Sequence, residues 1–165
     1  MTLYRTTWLS PVGPLHLMAD DNHLLCLAFD QNLEAILQRL EGTAARLEEN
    51  ELLKQVRGEL AEYFAGGRTA FTVPIAPQGT PFQIRAWEAL CRIPYGSTVS
   101  YQAQARELGA AGAVRATGTA NGRNPIAIIV PCHRVVRSDG GIGGYAGGVS
   151  VKMRLLELEA RSKKG

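Results

Sequence analysis

Apolar and polar positions divide the chain into stretches of different rhythm. Between residues 3 and 29 the apolar positions come in short runs, and Leu3 to Leu9, Leu15 to Ala19 and Leu24 to Phe29 predict three strands. Pro11-Val12-Gly13-Pro14 predicts the first turn, since proline fixes φ and glycine tolerates positive values, and Asp20-Asp21-Asn22 predicts a hairpin. The rhythm then lengthens. Asn32 offers an N-cap to a helix with Leu33, Ile36, Leu37 and Leu40 on one side. Glu51 to Phe64 repeats the pattern, and Gly66-Gly67 stops it. Nothing in residues 1–70 assembles a reaction.

Residues 72–80, with two prolines, one glycine and no charge, predict a connector. Thr80-Pro81 then starts a helix as cap and first residue, with Phe82, Ala86, Leu90 and Ile93 at spacing three to four, and Pro94-Tyr95-Gly96 ends it. Ser100 can cap a short helix over Tyr101 to Leu108, and Gly109 and Gly112 separate it from another over Ala113 to Ala120. Such a pair is either a helix-turn-helix, with Arg115 and Arg123 on or near its second member, or ordinary core packing. Pro125 to Val130 reads as an apolar strand running into Pro131-Cys132-His133-Arg134. A glycine run from Gly140 to Gly148 follows, then a helix capped by Ser150.

Composition narrows the class. At 45% hydrophobic and 20% charged over 165 residues, the chain buries a core rather than remaining disordered. Its longest aliphatic run, Ile126 to Val130, falls far short of the roughly 20 residues that cross a bilayer, and the first fifteen residues contain no apolar leader. Three cysteines at wide spacing suit a reducing cytoplasm better than a disulfide scaffold. Charge is uneven: residues 1–80 carry a net −4 and residues 81–165 a net +7, the imbalance expected if the second half meets a polyanion.

Cys132 carries the candidate chemistry. It follows a proline, with an imidazole and a guanidinium next in sequence, and such neighbours favour the nucleophilic thiolate. The alternative is a buried inert thiol, which suits Cys26 and Cys91. Gly141-x-Gly143-x-x-Ala146 fits a relaxed dinucleotide fingerprint, but no βαβ unit can follow it. The same glycines would let the backbone approach a flat ligand, with Tyr145 as a stacking face, or would simply form a hinge. His16, His23 and Cys26 lack a fourth ligand and paired spacing, so no metal is expected.

Arg123-Asn124-Pro125-Ile126 followed by Pro131-Cys132-His133-Arg134-Val135-Val136 resembles the signature of the O6-alkylguanine-DNA alkyltransferases. The likeness extends through Gly144-Tyr145-Ala146-Gly147-Gly148 and Lys152 to Glu159, and back through Arg115-Ala116-Thr117-Gly118 and Ser100-Tyr101-Gln102 to Thr80-Pro81-Phe82-Gln83. It covers residues 80 to about 160 densely, and the first half only in layout.

The resemblance implies an α/β (α+β) fold, with a ribonuclease-H-like scaffold over residues 1–75 and a mostly helical DNA-binding, alkyl-accepting domain over 80–165. It implies DNA repair by irreversible, stoichiometric transfer of the alkyl group from O6-alkylguanine, and less readily from O4-alkylthymine, to Cys132 after base flipping. In this scheme His133 takes the thiol proton through a water and Glu159 orients His133. Asn124 braces the turn, and Tyr101 protonates guanine N3 and crowds the adjacent phosphate. Arg115 enters the base stack, while Ala116, Thr117, Gly118 and Arg123 contribute to the DNA-binding face. Tyr145, Ala146, Val135 and Pro131 surround the substrate. A serine often follows the pocket tyrosine in the family, and Ala146 stands there instead, leaving O6 to backbone donors. No cofactor and no metal is implied. The partner is double-stranded DNA bound through its minor groove by a cytoplasmic monomer of the short bacterial type, with several copies able to lie side by side. A non-reactive module that recognises alkylated bases and recruits other proteins is the rival reading, and a turning-over thiol hydrolase is another.

Overall fold

A computed structural model describes residues 2–40, 44–110 and 112–164, the side chain of Lys164 excepted. It opens with a three-stranded antiparallel meander, β1 (Tyr4–Ser10), β2 (Gly13–Ala19) and β3 (Leu24–Ala28), in which Thr6 pairs with Leu17 and Leu17 with Leu27. The β2–β3 turn is closed by Asp20, whose carboxylate accepts the backbone N–H groups of Asn22 and His23, both at 2.7 Å. Successive strand residues face opposite ways, so each side of the sheet builds its own core. Leu15, Leu17, Leu24 and Leu27 pack with Leu53, Val56, Leu60 and Tyr63, whereas Met18, Cys26 and Ala28 pack with Ile36 and Leu40.

Those partners come from α1 (Asp30–Arg39) and α2 (Glu51–Phe64). Asn50 caps α2 by accepting Leu53 N–H at 2.9 Å. The first helix starts earlier than its sequence suggests. Phe29 is its N-cap residue, and Asn32 lies inside the first turn, where its Oδ1 accepts Phe29 N–H at 2.8 Å. The asparagine signal was correct in chemistry and displaced by three positions, because a side chain at N3 can satisfy the cap from within.

The second half contains α3 (Pro81–Cys91), the two-residue strand β4 (Val99–Ser100), α4 (Tyr101–Glu107), α5 (Val114–Gly122), β5 (Val135–Val136) and α6 (Val149–Lys164). Thr80 and Gln83 form a reciprocal capping box at α3, and Ser100 caps α4 by accepting Ala103 N–H at 3.0 Å. The α4–α5 pair has a buried polar hinge: the amides of Gln104 and Asn121 donate to each other at 2.9 and 2.7 Å. Trp87 of α3 is buried beneath them and donates to the Ala120 carbonyl at 2.9 Å. Ser150 lies within the first turn of α6, not at its cap.

The expected strand at Pro125 to Val130 is absent. Only Ile126 makes a bridge, with Leu27; the rest coils into tight turns, with Val130 N–H donating to the Ile126 carbonyl and Ile129 N–H to that of Ala127. Apolarity alone could not separate a buried strand from a buried coil. Asn124 decides it by bracing both ends: its Oδ1 accepts Ile126 N–H at 2.9 Å and its Nδ2 donates to the Val130 carbonyl at 2.8 Å. Ile128 takes a φ of +69°, the one left-handed non-glycine residue among those described.

Residues 125–127 and 74–76 lie along the outer edge of β3, bonded to Leu27 and Leu24 respectively, so the exposed edge is covered. The main core likewise crosses the halves, combining Leu15, Leu60 and Tyr63 with Trp87, Ile126, Val135 and Leu155.

Candidate active site

Cys132 opens a single 3-10 turn, Cys132–Arg134, placed by the Asn124-braced coil before it and by β5 after it. β5 pairs in parallel with β4, Val99 with Val135 and Ser100 with Val136. Since Ser100 caps α4, this pairing brings Tyr101, the first residue of α4, up to the cysteine turn. A pocket of about 310 Å³ opens there, lined by Tyr101, Gly118, Asn121, Gly122, Cys132, Gly144, Tyr145 and Ala146. That is the small end of the roughly 300–1,000 Å³ range for ligand sites. Gly143 has to be glycine: its φ is +78°, and a Cβ there would stand 2.9 Å from the Tyr101 hydroxyl and 3.3 Å from Lys152 Nζ.

Behind the thiol runs a buried polar chain. His133 Nε2 meets Glu159 Oε2 at 2.6 Å, with His133 wholly buried and Glu159 1% exposed. Glu159 also accepts from Tyr63 Oη at 2.7 Å, from Arg134 Nε and Nη2 at 2.8 and 3.2 Å, and from Gly96 N–H at 3.3 Å. Arg134 spends its remaining nitrogen on the Ile93 carbonyl at 2.8 Å. His133 Nδ1 is buried with no protein partner among the described residues, so this nitrogen is left to exchange a proton.

The resting charges follow. Although burial alone would raise it, hydrogen bonds and charge from His133, Arg134 and Tyr63 bring Glu159 down to about 2. Burial holds His133 below the ordinary histidine value, helped by the Arg134 and Lys152 charges and opposed by Glu159. Burial pushes the Cys132 thiol up, while a hydrogen bond from Asn124 Nδ2 at 3.4 Å and the Lys152 charge pull it down. These shifts leave a neutral thiol, a neutral imidazole and a carboxylate whose charge is matched by Arg134. Lys152, fully buried, donates to the carbonyls of Val135 at 2.7 Å and Gly144 at 3.1 Å, so it pins the cysteine turn to the glycine loop. Burial, and the Cys132 charge once the thiol ionises, push the Tyr101 phenol up, so it stays protonated and able to donate.

The structure brings Cys132, His133, Glu159, Asn124, Tyr101, Tyr145 and Ala146 together, with Gly118 on the pocket wall. Arg115 and Ala116 are exposed on α5 beside a shallow groove shared with Thr80 and Phe82, and Arg123 is exposed at the end of α5. Thr117 faces inward, buried, its hydroxyl donating to the Ala113 carbonyl at 2.9 Å. Val135 is buried outside the pocket lining, and Pro131 lines a separate cavity behind the cysteine turn. Cys26 is buried in β3 with its thiol pushed up to about 12. His16 bonds to Thr7 and Asp30, and among the described residues no cluster of His, Cys, Asp or Glu is arranged to hold a metal.

Sequence reading gave no role to Tyr63 or Lys152, and it set the Arg134 guanidinium to favour the thiolate, whereas the structure spends it on Glu159 and the Ile93 carbonyl. One signal was available for Lys152: Lys152, Leu155 and Glu159 share a face at spacing three and four, and two charges on the buried stripe of a helix need a reason. Tyr63 gave no such sign, since a tyrosine on an apolar helix face reads as core.

Residues 81–161 match the family described as the DNA-binding domain of 6-O-methylguanine DNA methyltransferase, and residues 3–77 match its ribonuclease-like domain. Among curated relatives, a methylated-DNA–protein-cysteine methyltransferase of Methanosarcina barkeri is 43% identical over 150 residues, covering 91% of this chain and 92% of its own. Another of that name from Mycobacterium leprae is 46% identical, covering 91% and 88%. A crystal structure of Mycobacterium tuberculosis OGT in complex with DNA superposes with a TM-score of 0.86 at 42% identity, covering 96% of this chain and 94% of that one. With both halves matched, Cys132 in the pocket wall and the next residue, His133, bonded to Glu159, the chain belongs to the 6-O-methylguanine DNA methyltransferase family.

Proposed function

We propose that this protein repairs DNA by moving the alkyl group of O6-alkylguanine, and less readily of O4-alkylthymine, irreversibly onto its own Cys132. The observation that carries this reading is the Cys132 thiol in the wall of a 310 Å³ pocket, backed by the His133–Glu159 pair at 2.6 Å. A base inside a duplex stack cannot reach such a thiol, so the nucleotide is flipped out, with Arg115 of α5 filling the gap it leaves. DNA runs along α5 on its minor-groove side, and the basic charge of residues 81–165 supplies the phosphate attraction.

In the filled pocket His133 Nδ1 takes the thiol proton, directly or through one water. Glu159 stabilises the imidazolium that results, as the third member of a nucleophile–base–orienter set. The thiolate then displaces guanine from the alkyl carbon: an S–C bond forms, the C–O6 bond breaks, and its electron pair leaves on guanine. Tyr101, protonated in this site, donates a proton to guanine N3 and so improves the leaving group. Tyr145 packs on the base, and backbone N–H groups of the loop around Ala146 meet O6. The product is a thioether, so each molecule acts once, without a cofactor. Residues 1–75 form the scaffold and 80–165 the acceptor domain of a cytoplasmic monomer. No described helix is long and apolar enough to cross a membrane.

Intact-mass measurement after incubation with duplex DNA containing O6-methylguanine tests this. Wild-type protein gains one methyl group permanently, mapped to Cys132, and Cys132→Ser gains none while keeping its DNA affinity. Bound DNA with no mass change would favour a non-reactive recognition module, and consumed substrate with unmodified protein a hydrolase.

A further inference from the structure

One aromatic ring of the N-terminal half packs directly against the wall of the pocket. Phe29 follows β3, is 2% exposed, and is fixed by its backbone: its N–H donates to Asn32 Oδ1 at 2.8 Å, and its carbonyl accepts Leu33 N–H at 3.0 Å. From that anchored point its ring meets Tyr145 edge-on, centroids 5.5 Å apart at 66°. Tyr145 is flanked on another side by His133, at 6.4 Å and 82°. The glycine loop passes Phe29 even more closely. A Cβ on Gly147 would stand 2.8–2.9 Å from three ring carbons, a separation that side chains essentially never show. Gln31, two residues on, reaches the Gly147 carbonyl at 3.5 Å. Phe29 does not itself line the pocket; it packs against Tyr145, which does, and against Gly147, the residue after pocket-lining Ala146.

We propose that Phe29 is a positioning residue for the base pocket, setting how far Tyr145 and the glycine loop stand from Cys132 and hence which alkylated bases are held at reacting distance. This rests on the pocket being the O6-alkylguanine site. The ring is rigid, buried and anchored at its backbone, so it acts as a stop against which the loop is seated. A shorter side chain lets Tyr145 and the loop retreat. A methylated base is then held loosely, while a bulky benzyl group gains room.

Single-turnover rates at saturating protein test this for Phe29→Leu, Phe29→Ala, Gly147→Ala and the double variant Phe29→Ala/Gly147→Ala, with O6-methylguanine duplex and free O6-benzylguanine as substrates. Loss of seating by a fraction of an ångström to one ångström should slow methyl transfer in Phe29→Leu by on the order of ten- to a hundredfold. Benzyl transfer should fall clearly less, so that selectivity moves toward the larger group. The pH–rate profile should keep its shape, because Phe29 touches neither Cys132 nor the Glu159 chain. Gly147→Ala alone should be severely impaired, and removing the ring in the double variant should recover much of the loss. Equal losses on the two substrates, or losses that simply multiply in the double variant, would make Phe29 an ordinary core residue and overturn the proposal. A wild-type protein that accepts no methyl group would overturn the repair reading itself, and this assignment with it.

Discussion

Glu159→Gln is the most informative single change in this molecule, because the shape is kept and the charge removed. All the hydrogen bonds at the carboxylate are accepted ones: Tyr63 Oη, His133 Nε2 and Arg134 Nη2 point at Oε2, and Arg134 Nε and Gly96 N–H at Oε1. An amide has one acceptor oxygen, so its NH₂ must face donors whichever way it is turned: three on one side, two on the other. Arg134 also loses the charge that matches it, and breaking a buried pair in this way typically costs about 3–5 kcal/mol. For a chain of this length each kcal/mol lowers the melting temperature by about 2–4 °C, so the variant should melt roughly 6–20 °C below wild type near neutral pH.

Acidity gives an independent check. Glu159 sits at about 2 when folded against an ordinary 4.5, a depressed carboxyl. Its contribution is therefore complete above the unfolded value and is lost as pH falls toward 2, amounting to about 3 kcal/mol over that window. The glutamine variant has no such group, so the gap between the two melting curves should narrow between about pH 5 and about pH 2. Calorimetry across that range, with circular dichroism to confirm native structure in the variant, measures both. A neutral-pH difference under about 3 °C, or a gap that stays constant on acidification, would mean the carboxylate is not the paired anion described above.

Two further outcomes bear on the reaction. Arg115→Ala should slow repair of duplex far more than reaction with free O6-benzylguanine, since a free base needs no flipping; equal losses would move Arg115 out of the DNA-facing role. Lys152→Met removes a charge that pulls the Cys132 thiol down, so the rising limb of the pH–rate profile should move to higher pH, and an unmoved limb would leave Lys152 with only its two carbonyl contacts.

Much of this architecture is legible in the sequence where one local signal suffices. The meander follows from short apolar runs between turn residues, and the starts of α3 and α4 from Thr80-Pro81 and Ser100. The Cys132–His133–Glu159 line is legible only because its residues resemble a family motif; spacing alone does not bring residue 159 to residue 133. What stays hidden depends on distant partners. Pro125–Val130 has the composition of a strand, and its coil is imposed by Asn124. Tyr63 is chemically indistinguishable from core until α6 sets a carboxylate against its hydroxyl, 96 residues away in sequence. Thr117 sits in a motif expected on the DNA side, yet its hydroxyl is spent on its own helix.

The raised Cys132 thiol has a consequence for a reagent that is consumed by use. A cysteine kept as thiolate at rest would react with any small electrophile that diffused past, and each such accident would remove one repair molecule for good. Here burial holds the proton on sulfur, and His133 is neutral beside it. In the proposed reaction the nucleophile forms only when His133 takes the thiol proton, beside an alkyl carbon already held in the pocket. The same desolvation that slows the idle thiol thus works as a safety catch: it gives up some intrinsic reactivity so that the one available transfer is kept for DNA.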